Sequence, residues 1–222
     1  MFSSVPQEPR PAFVPALGYR WLTPLYDRVV AATTREETFK RALVEQTRAA
    51  AGHRVLDLGC GTGTLAILIS GQQPSAAVTG VDGDGAMLGR ATQKAARAGA
   101  SIRFDHALSW NLPYADATFD RVTSSLFFHH LTWEDKLRTA REVIRVLKPG
   151  GELHVADWGR AANSVMRGLF LTVQMLDGFA TTRDNVAGRL VETFARAGFR
   201  EVSEIRTFPT MLGSLALYRA VR

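Results

Sequence analysis

Cysteine is nearly absent: the 222-residue chain has one, Cys60, which rules out an internal disulfide framework and any site built from several thiolates. A reducing, cytoplasmic setting is expected. No apolar run approaches the roughly 18 residues needed to cross a bilayer. The N-terminus lacks the basic segment and apolar stretch of a secretion signal; with Pro6, Pro9, Pro11 and Pro15, residues 1–18 read as a loose tail. Lysine is scarce as well, with four lysines (Lys40, Lys94, Lys136, Lys148) against 23 arginines. The net charge of +6 is spread among acids, as where Arg35 precedes Glu36 and Glu37, and no block forms a basic arm. Nucleic acid is therefore not the expected partner, although an RNA substrate remains one alternative that the charge permits.

What is present describes one ordinary globular domain, with 46% hydrophobic residues, 22% charged residues and a mean hydropathy of −0.04. Short apolar runs predict seven strands: 54–58, 77–81, 101–105, 121–126, 152–156, 202–208 and 214–220. Helical segments alternate with the first five, the pattern of a parallel sheet built from crossover units. Within 133–147, Leu137, Ala140, Ile144 and Leu147 recur at helical spacing. Lys148-Pro149-Gly150-Gly151 then predicts a stop and a turn. The last two strands, separated only by 209–213, predict an antiparallel hairpin at the edge of the sheet. Residues 19–50 read as N-terminal helices, 51–160 as a core that carries a ligand, 161–200 as a helical lid and last crossover, and 201–222 as the hairpin. The lid reading rests on Val165, Met166, Leu169, Phe170, Val173 and Leu176, a stripe that ordinary core packing explains more simply.

The informative stretch is Val55-Leu56-Asp57-Leu58-Gly59-Cys60-Gly61-Thr62-Gly63, an apolar strand that ends near an acid and runs through alternating glycines into a helix. Such a turn brings backbone amides against a ligand. A dinucleotide fingerprint would place its third glycine at position 64, where this chain has Thr64. A second apolar strand ends at Asp82, where a carboxylate can accept from the hydroxyls of a ribose. Asp84 is placed to cap the helix that follows.

These segments, followed in order by LPYADATFDRV, LFFHHL, RVLKPGGEL, AGF and LYRA, resemble the class I S-adenosylmethionine-dependent methyltransferases, in the small-molecule branch that includes quinone-type C-methyltransferases. The resemblance covers residue 22 to the end. It implies a Rossmann-like, doubly wound α/β sheet of seven strands, order 3-2-1-4-5-7-6, with the last strand antiparallel. It also implies that S-adenosylmethionine is the cofactor. Gly59, Gly61 and Gly63 would line its methionine portion with Asp57 orienting the amino group, Asp82 and Gly83 would hold ribose and flank adenine, and Leu126 would border the cofactor at the exit of strand four. One segment departs from the pattern: Leu108 stands where an acid usually meets the adenine amino group, which leaves adenine to Ser109 and Trp110.

The expected activity is methyl transfer to O, C or N of a small, partly aromatic or apolar metabolite. A protein that keeps the fold as a binding or regulatory module without turnover is the other alternative. His129 and His130 are candidate bases. As metal ligands they are poorly placed, being adjacent and lacking a third partner, so no metal site is expected. Tyr19, Tyr26, Trp133, Trp158, Met166 and Phe170 are candidate walls of the acceptor pocket, with Met175 and Phe179 at its mouth.

Overall fold

The computed structural model describes residues 35–222. The described chain runs α1 (Glu36–Thr47), β1 (Arg54–Leu58), α2 (Thr64–Gln72), β2 (Ala77–Asp82), α3 (Gly85–Arg97), β3 (Arg103–His106), β4 (Phe119–Ser125), a 3₁₀ turn (Phe128–His130), α4 (Trp133–Val146), β5 (Leu147–Trp158), α5 (Ser164–Asp177), α6 (Phe179–Val186), α7 (Leu190–Ala197), β6 (Arg200–Thr210) and β7 (Gly213–Val221). The sheet order is β3-β2-β1-β4-β5-β7-β6. Strands β1 to β5 pair in parallel, and β7 runs antiparallel between β5 and β6. The expected order and hairpin are therefore what forms, with β6 at the edge.

Alternation along the strands divides the core in two. Leu56 and Leu58 of β1 face α4 and α7 through Ala140, Val143, Leu190 and Phe194. Val55 of the same strand faces the other way, toward Phe39 and Leu43 of α1, Leu65 and Ile69 of α2, and Phe170 and Val173 of α5. A strand with apolar residues on both faces requires helices on both, which gives the three-layer arrangement.

Helix α4 shows how local sequence sets the element ends. The Thr132 hydroxyl accepts from the Asp135 amide at 3.2 Å, Glu134 and Asp135 sit in the first turn, and Arg145 sits in the last. The turn expected at Lys148–Gly151 is instead absorbed into β5. Leu147 already pairs with Phe119, Gly150 takes φ 75°, and regular pairing resumes at Glu152 opposite Arg121 after a bulge. The bulge lets a proline and two glycines stay within a strand, because no residue of β4 pairs with them there and the proline owes it no amide bond.

Candidate active site

The carboxyl ends of β1, β2 and β4, with α1 and the loop after β3, enclose a cleft of about 220 Å³. At its floor the glycine turn is held by its own backbone and by β2: the Gly59 and Cys60 amides donate to Val81 O at 2.9 and 3.0 Å, and the Gly63 amide to Cys60 O at 2.8 Å. Gly59 is obligatory twice over. Its φ is 67°, and a Cβ there would lie 2.3 Å from the Phe127 ring. Asp82 links this turn to the next helix, because its carboxylate accepts from the Gly61 amide at 2.8 Å and the Asp84 amide at 2.9 Å. Burial raises the Asp82 pKa, and those amides partly counter it. Asp84 caps α3 as expected, accepting from the Ala86 amide at 2.8 Å.

Several expected site residues do line the cleft: Gly59, Gly61, Asp82, Gly83, Ser109, Trp110, Leu126 and His130. Leu126 has φ 53°, a left-handed turn that swings the chain out of β4. It is held by its amide donating to Ala156 O at 2.8 Å. The Ser109 hydroxyl is already bonded to the Thr139 hydroxyl at 2.7 Å, so the backbone of Ser109 is what it offers the cleft. Trp110 lies under the Arg138 guanidinium, 5.2 Å from the ring centre.

Other expectations are corrected. Asp57 is 1% exposed and does not border the cleft. Its carboxylate accepts from the Ala66 amide at 3.1 Å and the Thr123 hydroxyl at 3.4 Å, fastening α2 to the sheet. Burial pushes its pKa up to about 7, against the opposing pull of Lys40 and these donors. Gly63 also lies off the cleft; it caps α2 at φ 77°, and a Cβ there would meet Ala91 and Phe104 at 3.1 Å. Trp133 packs beneath Arg189, 4.0 Å from its ring centre, while Trp158 and Phe170 are core residues 5.3 Å apart. Met166 does not border the cleft. Met175 and Phe179 are exposed. The apolar stripe after β5 is thus mainly core and outer surface, and the lid region contributes Thr181 of α6 to the cleft wall. Tyr19 and Tyr26 lie outside the described residues.

The two histidines separate in role. His130 borders the cleft, and burial, with His129 and Lys136 nearby, holds its pKa well below the usual histidine value, so the imidazole is neutral. His129 is 3% exposed and lies behind it, ring centres 4.0 Å apart. Its Nδ1 donates to Asp157 Oδ1 at 2.7 Å. Asp157, fully buried at the end of β5, also accepts from the amides of Phe127, His129 and Trp158 and from Asn185 Nδ2 of α6. One carboxylate therefore holds both the histidine turn and α6. Sequence reasoning missed it; the only signal was an acid inside the otherwise apolar end of β5. It also missed Glu36, Lys40, Thr132, Asp135 and Thr181 in the cleft wall.

The charge of the lining limits the ligand. Four carboxylates (Glu36, Asp82, Asp84, Asp135) face one lysine, Lys40, and one neutral histidine among the described residues. Such a cleft disfavours a polyphosphate and suits a ligand of net positive charge. Ser125 is also in the wall, and its Oγ is buried without a hydrogen-bond partner among the described residues.

Known proteins agree with this geometry. A methyltransferase domain family matches residues 55–151. The demethylmenaquinone methyltransferase of Deinococcus radiodurans is 33% identical over 67% of this chain and 62% of its own length; the match thus spans under two thirds of that relative. An uncharacterized methyltransferase of Synechocystis is 31% identical over 69% of this chain and 74% of its own. Among solved structures, the cyclase SpnF superposes with a TM-score of 0.71 at 20% identity, covering 90% of this chain and 92% of that one, which speaks for the fold. The chain belongs to the class I S-adenosylmethionine-dependent methyltransferase family.

Proposed function

We propose that this chain uses S-adenosylmethionine to methylate a small, apolar, partly aromatic molecule, with His130 taking the acceptor's proton. The cofactor supplies a methyl group already activated on a sulfonium. What remains for the protein is to align the partners, exclude water and accept a proton. Gly59, Gly61, Asp82, Gly83, Trp110, Leu126 and the backbone of Ser109 would hold the cofactor. Among the described residues, the single cationic side chain and four carboxylates of the cleft support a donor of net charge +1.

The observation that carries the acceptor half is the neutral imidazole of His130 on the cleft wall, backed by His129 and Asp157. A neutral imidazole can accept a proton from a hydroxyl, or from a ring carbon that has become acidic, as the methyl group arrives. Phe127 and Leu131, close to His130 in the chain, also border the cleft and suit an apolar body. The Deinococcus relative is named for demethylmenaquinone, an aromatic, apolar acceptor of that kind.

The test uses labelled methyl donor with a panel of quinols, phenols and hydroxylated polyketides, following S-adenosylhomocysteine release. His130→Ala should lose at least about a hundredfold in turnover, the usual contribution of a general base, and still bind S-adenosylhomocysteine. Unchanged turnover in that variant would remove His130 from the mechanism.

A further inference from the structure

Helix α1 carries two acid–base pairs at i,i+4 spacing, one residue apart, and they differ in surroundings. Glu37–Arg41 is exposed, with side chains 77% and 65% accessible, at 2.8 Å. Glu36–Lys40 is paired in the cleft wall with side chains 13% and 11% accessible. A solvated pair on a helix surface is unremarkable, but taking a second pair out of water costs desolvation that mutual attraction seldom repays. The buried pair is therefore a poor stability device and needs another explanation. Its location supplies one. It borders the cleft together with the glycine turn, and Lys40 lowers the pKa of Asp57 beneath that turn.

The pair is also rigidly presented. Phe39 and Leu43, flanking Lys40, are fully buried in the core. The far end of α1 is tied to the sheet, where Gln46 Nε2 donates to Tyr218 O at 3.0 Å and Arg121 Nε to Thr47 O at 3.1 Å. Lys40 is the only lysine or arginine among the described residues lining the cleft. Any carboxylate that enters has that one side-chain cation to meet.

From this juxtaposition we propose that Glu36 and Lys40 form a clamp for the zwitterionic amino-acid end of the cofactor, Lys40 taking the α-carboxylate and Glu36 the α-ammonium. The proposal rests on the cofactor reading above. One internal ion pair is exchanged for two with the ligand, so neither Glu36 nor Lys40 is left unpaired when the site fills. The carboxylate that serves the ammonium is then Glu36 on α1, in place of Asp57, which is covered.

The test compares two ligands by calorimetry: S-adenosylhomocysteine, which has the amino-acid end, and 5′-methylthioadenosine, which lacks it. Lys40→Gln and Glu36→Gln should each weaken S-adenosylhomocysteine by about 10- to 100-fold, the range for losing a hydrogen bond to a charged group. Neither should move methylthioadenosine by more than about twofold. Lys40→Arg should recover part of the loss, which excludes a folding defect as its source. Equal effects on the two ligands, or none on either, would overturn the clamp while leaving the cofactor reading intact. A native protein that binds neither ligand would overturn both.

Discussion

Replacing Asp157 by asparagine is the most informative perturbation of the histidine turn. The side chain is fully buried. Oδ1 accepts from His129 Nδ1 (2.7 Å), the Trp158 amide (2.7 Å) and Asn185 Nδ2 (3.3 Å), and Oδ2 from the Phe127 and His129 amides (3.2 and 3.3 Å). An asparagine has one oxygen to offer. Its better orientation keeps the three bonds at Oδ1 and turns its NH₂ toward the two backbone amides, leaving both donors facing a donor. At about 1–3 kcal/mol for each of the two unsatisfied buried groups, the loss is about 2–6 kcal/mol, a large part of the 5–15 kcal/mol typical of a whole domain. With a urea slope of about 2–3 kcal/mol per molar, the unfolding midpoint should fall by about 1 M or more, followed by the fluorescence of the adjacent Trp158. The same variant should lose turnover with a smaller change in S-adenosylhomocysteine affinity, because the hydrogen bonds that hold the glycine turn and Asp82 run to Val81, Cys60 and Asp84 and not to Asp157. A midpoint shift under about 0.3 M would refute the account of Asp157 as the hub of this turn.

Asp57 gives a pH signature. Its folded pKa of about 7 lies above the ordinary 3.8, so the fold favours the protonated form. Its stabilising contribution is full below about pH 4 and is lost as pH rises to 7. Asp57→Asn should flatten that part of the stability profile in urea unfolding measured from pH 4 to 8, and an unaltered slope would show that Asp57 does not titrate there. Ser109→Ala should cost about 1 kcal/mol by stranding the buried Thr139 hydroxyl, seen as a lowered melting temperature, with S-adenosylhomocysteine affinity held within about twofold. Trp110→Ala should weaken that affinity several-fold, because its ring forms part of the cleft wall.

The sequence by itself determined the fold and the glycine turn beside the cleft. Apolar alternation along β1, glycines at 59, 61 and 63, and an acid at 82 are local constraints, since each follows from what one backbone segment can adopt. Seven strand segments, the hairpin and the helix end before Lys148 were legible for the same reason, whereas the turn read at Lys148–Gly151 is part of β5, because whether a proline–glycine segment leaves a sheet depends on the neighbouring strand. Only the tertiary structure decided which side chains face the cleft. Trp133, Trp158 and Phe170 have the same apolar character in sequence whether they line a pocket or fill a core, and packing sent Trp158 and Phe170 to the core and Trp133 beneath Arg189. The adjacent histidines were equivalent in sequence until Asp157, 28 residues after His129, took His129 inward and left His130 at the wall. Glu36 and Lys40 acquired their meaning in the same way, because burial of a charge and the company it keeps are properties of assembled elements that no single segment carries.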